Sequence, residues 1–348
     1  MGSVLKYGAV NTKVKALQGK MLRKNQYAQL MECSSYYEAL RYLKENTSYG
    51  EVLLNHDLEK LHRGQLELIL KKHYANYFYK FSHYFRGDYK ELINIFYMRF
   101  EIEDLKVIIR GKFIGREKEE IFPYLTYESP LNNIDYQELL SAKDLVTLVE
   151  KLKDTHYYNH IQNLVLSVDE EGLFRLEMAL DFVYFSSLRK VIKNLTKEDR
   201  RIIEEINGIY ADLLNIQWIY RGFKYYKLKA EELYNYTIYD GYKLKREELK
   251  KLCYINSLDE FYDIVGHLPY KEVFTNSKDR DYLVEKEILS YTKKNYEKYK
   301  KLNDLNISVL IAYLELFLIE VRDITSIVEN KRYNIQKRDS MSYIIATL

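Results

Sequence analysis

The sequence predicts an all-α fold built from three homologous helical units in a funnel-like, pseudo-three-fold arrangement. Three observations lead there. The stretch Ile95–Lys112 returns at an offset of 111 as Ile206–Phe223, and at 219 as Leu314–Lys331. Three prolines and thirteen glycines in 348 residues leave little punctuation for a turn-rich β fold. No segment sustains the period-2 alternation of a half-buried strand. Within the repeated stretch six apolar positions match: Ile95/Ile206/Leu314, Met98/Ile209/Phe317, Ile102/Leu213/Val321, Leu105/Ile216/Ile324, Ile108/Ile219/Ile327 and Ile109/Tyr220/Val328. At 100° per residue they form one stripe, with Glu101/Asp212/Glu320 and Asp104/Asn215/Asp323 at its edge.

In chain order, Val14, Leu17, Met21 and Leu22 keep helical spacing and predict a helix over Thr12–Leu30. Ser35 with Glu38 three residues on is a capping-box start for a second helix, which stops near Asn46–Gly50. Glu51–Phe85 reads as one or two long helices, and the first repeated helix closes unit 1, residues 1–118. Gly115–Asn133, with Pro123 and Pro130, is the clearest linker. Unit 2, residues 119–228, restarts with a second repeated block. Leu30/Leu139, Met31/Leu140, Cys33/Ala142, Tyr36/Leu145, Leu43/Leu152 and Tyr49/Tyr158 match at 109. A third copy of this block runs from Leu252 and Cys253 through Ser257, Phe261 and Val265 to Tyr270. Leu173, Leu176, Leu180, Val183, Tyr184 and Leu188 mark a helix over Asp169–Asn194, and Thr196 caps the next. Unit 3, residues 229–348, is reached through Gly222–Glu247 and is helical again from Asp281. One chance block is easy at 47% apolar composition; two in the same order at nearly the same period are not. A repeat of this length exceeds the 20 to 50 residues of solenoid units, which favours three bundle-like bodies about an approximate three-fold axis.

Bulk charge gives little direction. Fifty-four Lys and Arg against fifty-one Asp and Glu leave +3, so no basic stripe points to nucleic acid. Cys33 and Cys253 fit two buried thiols better than a disulfide. The N-terminus lacks the apolar core of a signal peptide, and Lys6 stands where myristoylation requires Ser or Thr. The most apolar run, Ile307–Val321, contains Glu315 and Glu320 and is too short to span a bilayer, so it predicts a buried helix.

Catalytic patterns are missing. There is no dinucleotide fingerprint or phosphate loop; Gly111-Lys-Phe-Ile-Gly115 has the wrong spacing. His156 and His160 are four apart, but Tyr157 stands where a zinc protease would carry its general base. We therefore expect no catalytic, cofactor-binding or metal residues. The signature residues are Glu101, Asp104, Arg110, Asp212, Asn215, Arg221, Glu320 and Asp323. Their acids either converge as a functional ring or hydrogen-bond neighbouring backbone and arginines to keep the units in register; the second needs no further ligand. Arg110 and Arg221 match, but the third copy has Glu329, so a three-fold basic ring is not supported.

Taken together, Asn11-Thr-Lys-Val-Lys-Ala-Leu-Gln-Gly-Lys-Met-Leu, Ser35-Tyr-Tyr-Glu-Ala-Leu-Arg-Tyr-Leu-Lys-Glu-Asn-Thr-Ser-Tyr-Gly and the three acid-bearing helices resemble the C-type central-stalk family of bacterial and archaeal V/A-type rotary ATPases. They are similar to the d-type component of the eukaryotic vacuolar enzyme. The resemblance covers essentially the whole chain. It implies an all-helical funnel on the cytoplasmic face of the membrane proteolipid ring, receiving the central-shaft subunits of the D and F type. It implies a non-catalytic rotor part that passes torque between the ATPase motor and proton or sodium transport, binding no nucleotide or nucleic acid. The third copy departs from the pattern by lacking the Arg-Gly pair. The competing expectation is a helical protein-binding scaffold outside any ATPase.

Overall fold

A computed structural model describes residues 2–126, 131, 133–168, 170–278, 280–301, 305–333 and 335–346. Among them only helices, turns and irregular segments occur, with no strand. The first stretch runs α1 (Gly2–Gln18), α2 (Lys24–Glu32), α3 (Tyr36–Asn46), α4 (Gly50–Leu53), α5 (Arg63–Ser82) and α6 (Asp88–Phe113). The second runs α7 (Lys118–Ile121), α8 (Tyr136–Leu140), α9 (Leu145–Glu150), α10 (Tyr158–Ile161), α11 (Glu170–Ile192) and α12 (Lys197–Lys224). The third runs α13 (Ala230–Asn235), α14 (Arg246–Cys253), α15 (Leu258–Gly266), α16 (Lys271–Thr275), α17 (Val284–Lys301), α18 (Ser308–Arg332) and α19 (Lys337–Ser340). The three copies of the repeated stretch are thus the long helices α6, α12 and α18.

Packing divides the chain into two compact units. Unit A joins Met1–Tyr77 to Asn276–Leu348, and unit B is Phe78–Thr275. Unit A is organised around α18, which is buried on every side from Ser308 to Phe317, as its apolar run requires. α17 forms a hairpin with it, Glu285 pairing with Arg322. Rings from α5 stack edge-on against α18, with His73 and Tyr77 at 5.8 and 5.3 Å from Phe317. The hairpin of α2 and α3 also lies on α18.

Unit B holds a bundle of α6, α11 and α12. Asn194 donates to Asp88 and Arg110 forks onto Glu177, so α11 runs antiparallel to α6. The Tyr184 hydroxyl donates to Asn207, and Arg221 lies 5.5 Å above the Phe174 ring, so α12 is antiparallel to α11 as well. Between α6 and α11 the ammonium of Lys106, whose side chain is 8% exposed, reaches Asp181 at 2.6 Å and Glu103 at 2.9 Å. A charge so placed stays in the interior because it is paired.

Helix starts follow local chemistry. Ser35, Asp144 and Ser257, equivalent in the three copies, each accept a backbone N–H from three residues on. Glu38 caps in a different way from the predicted box, taking the N–H and hydroxyl of Ser34. Thr196 accepts from the Asp199 amide. Where the sequence predicts one helix over 12–30, the chain breaks at 19–23, because Gly19 and the following turn interrupt the ladder. Glu51–Phe85 is the short α4 followed by α5, and both expected linkers carry brief helices, α7 and α13. Pro130 and Asp169 lie outside the described residues. The sequence repeats, 1–118, 119–228 and 229–348, are divisions of the sequence; units A and B are divisions of packing.

Candidate functional site

The six repeated acid and amide positions are all buried, at 3% exposure or less. Each is committed to a neighbouring chain segment. On α6, Glu101 accepts the Tyr157 hydroxyl at 2.6 Å and the Asn133 amide at 2.7 Å. On α12, Asp212 accepts the Tyr270 hydroxyl at 2.7 Å and the amides of Tyr242, Lys243 and Leu244. On α18, Glu320 accepts the Tyr49 hydroxyl and the Leu22 amide, both at 2.8 Å. Leu22, Asn133 and Leu244 are themselves spaced by 111 residues. The same joint is therefore built three times. In each one the carboxylate of one copy closes on the tyrosine of the next, and the third copy closes on the first.

The second position repeats as faithfully. Asp104 accepts the Thr126 amide at 2.8 Å. Asn215 receives the Ile238 amide and donates back to its carbonyl, both at 2.8 Å. Asp323 takes the Ile345 and Ala346 amides, one per oxygen, at 2.7 Å. Each side chain ties down the segment that leaves its own helix 22 or 23 residues later. A buried peptide amide requires such an acceptor.

Tyrosine placement corrects one pairing in the sequence. Tyr158, matched there to Tyr49, donates to Glu150 on the surface, and its neighbour Tyr157 takes the buried position. The turn explains the shift: Thr47 and Thr155 each donate to a carbonyl and accept the amide of Tyr49 or Tyr157, two residues on. In the third copy Leu268-Pro-Tyr270 does the same task without that hydroxyl.

The Arg-Gly pair works sterically. A Cβ on Gly111 would meet Ile121 at 2.6 Å, and one on Gly222 would meet Leu233 at 2.4 Å. In the third copy Asn330 stands at this place and donates to Ser340 at 2.7 Å, exchanging a close fit for a hydrogen bond. Arg110 grips Glu177 and Arg221 covers Phe174, both within unit B.

Burial raises the pKa of all three tyrosine-bonded carboxyls, against the donors that lower it. Glu320 is carried to about 7 and Asp323 to about 6. Among the described residues no three His, Cys, Asp or Glu side chains are placed to share a metal ion. His160 instead lies 6.5 Å from the Phe182 ring. Cys33 and Cys253 are free and buried, and burial pushes the Cys253 thiol up to about 12. Among the described residues no helix is long and apolar enough to cross a membrane.

A family model described as "ATP synthase (C/AC39) subunit" matches residues 10–343. The chain belongs to that family. Relatives in the ATP synthase (C/AC39) family include the C subunit of the A-type ATP synthase of Methanocaldococcus jannaschii, 27% identical over 98% of this chain and 86% of the relative. The proteins of the same name from Methanosarcina acetivorans and Methanococcoides burtonii are 24% and 22% identical. They cover 88% and 97% of this chain, and 84% and 93% of their own lengths.

Proposed function

We propose that the chain is the non-catalytic central-stalk component of a V/A-type ATPase, a socket between the central shaft and the membrane proteolipid ring. In this reading it forms three homologous helical units around a funnel, transmits torque for proton or sodium transport, and sits peripherally on the cytoplasmic side. The near full-length family match carries the proposal, since relatives named as the C subunit of A-type ATP synthases align over 97–98% of this chain. The geometry supports it: the repeated ionisable groups are engaged in joining segments, which suits a body that bears load rather than one that turns over substrate. The signature residues act here by holding the surfaces that partners meet.

Reconstitution tests this. The purified chain, mixed at micromolar concentration with shaft subunits and a detergent-solubilised ring, is expected to bridge the two in one stoichiometric complex. Retention of neither partner overturns the socket and leaves the unrelated helical scaffold. Complexes assembled without the chain are expected to hydrolyse ATP without moving ions.

A further inference from the structure

The C-terminal half of α17 carries positive charge out of proportion to the rest of the chain. Residues 293–301 hold five lysines against one glutamate, in a molecule whose overall excess is +3. The one acid is already used, since Glu297 pairs with Lys293 at 3.3 Å. Among the described residues Lys294, Lys298 and Lys301 have no acidic partner, and all three are exposed. At 100° per residue they fall within about 60° of one another, on the side of α17 turned away from the buried Val284, Ile288, Thr292 and Tyr296.

The fold does not need this arrangement. Cations in the last turn offset the negative end of the helix dipole, and Lys298, Lys300 and Lys301 are all there to do so. Lys294 stands well before the last turn, beyond the reach of that effect. Like charges three and four positions apart repel, so Lys294, Lys298 and Lys301 together weaken the helix they sit on. A layer of anions outside the protein turns that repulsion into attraction.

We propose, resting on the peripheral membrane placement given under the proposed function, that this face of α17 lies on the headgroup layer of a bilayer containing anionic lipid, with Lys294, Lys298 and Lys301 as the contacts.

Two features favour lipid over a protein partner. Every cation on the face is lysine, a hydrated point charge on a flexible stem; none is arginine, whose fork fits a fixed carboxylate. Protein interfaces deplete lysine and enrich arginine and aromatics, whereas each lysine held near an anionic membrane strengthens binding about fivefold. The second feature is Leu305, which stands between α17 and α18 and is 41% exposed. An apolar side chain following cations suits the boundary between headgroups and acyl chains. Binding of this kind is weak and salt-sensitive, a supplement to the ring contact and no substitute for it.

Flotation of the full chain with lipid vesicles tests the patch. Vesicles of phosphatidylcholine alone are compared at low ionic strength with an equal mixture of phosphatidylcholine and phosphatidylglycerol. The wild type is expected to float with the anionic vesicles only and to be released by about 1 M salt. The triple substitution K294Q/K298Q/K301Q is expected to weaken binding about a hundredfold. K245Q/K250Q/K251Q removes the same charge from exposed positions at α14 and is expected to leave binding nearly unchanged. Wild-type flotation that does not respond to phosphatidylglycerol, or an equal loss in both triple variants, overturns the patch. Loss of shaft binding by K294Q/K298Q/K301Q with vesicle binding unchanged also overturns it, in favour of an acidic protein partner. The socket is read separately in detergent, where no bilayer is present and K294Q/K298Q/K301Q is expected to bridge shaft and ring as the wild type does. The patch and the socket therefore fail independently.

Discussion

At the scale of single residues the protein relies on a carboxylate and a phenol meeting away from water. Tyr157→Phe deletes the hydroxyl that donates to Glu101 and leaves a buried acceptor short of one partner. Unit B is expected to lose about 1–3 kcal/mol, read from urea unfolding, and Glu101→Gln in the same background should recover part of it. A second test concerns close approach. A Cβ at Gly241 would lie 2.0 Å from Asp212 Oδ1, so Gly241→Ala should displace the turn that supplies three amides and cost roughly 1–3 kcal/mol by thermal melts. The positions of these acids were legible in the sequence because identical spacing recurs three times. Their partners were not. Tyr157 and Tyr158 are both plausible at the level of pattern, and only the Thr155 turn, whose hydroxyl receives the Tyr157 amide, selects the inward one. Nor could spacing reveal that Asn330 and Ser340 replace a glycine fit, since a hydrogen bond and a steric contact leave no common signature.

At the scale of helices, periodicity found the long elements and misjudged their interruptions. α6, α12 and α18 carry an apolar stripe long enough for the period to declare itself. The break at residues 19–23 escaped because Met21 and Leu22 continue the apolar spacing even though the backbone turns there. The pairing of α6 with α11 through Lys106 and Asp181 escaped as well, because one lysine among so many charged residues carries no sign of being buried. Lys106→Met tests its weight: Asp181, raised to about 6 even with its cation present, would be left half-buried and without that cation. The expected loss is roughly 1–3 kcal/mol at pH 8 and smaller at pH 5, where protonation relieves the charge, measured by denaturant unfolding at both values.

For the whole molecule, three sequence repeats are joined by a rule in which each copy is completed by the one that follows. The rule sends the third copy back to the beginning of the chain, which is why unit A draws on both ends of the sequence. Deleting residues 1–53 is therefore expected to expose amides of α18, some 270 positions away in sequence, to rapid hydrogen exchange. Protection of α18 unchanged by the deletion would contradict this account of unit A. The joint also bears on how the protein is made. Tyr49 leaves the ribosome 271 residues ahead of Glu320, which at about 5–20 residues per second is a delay of roughly 14–54 s. Throughout that interval the apolar side chains of α2 and α3, Leu30, Leu40 and Leu43 among them, have no α18 to cover them. The hairpin of α2 and α3 is therefore expected to complete its packing only once α18 has been synthesised.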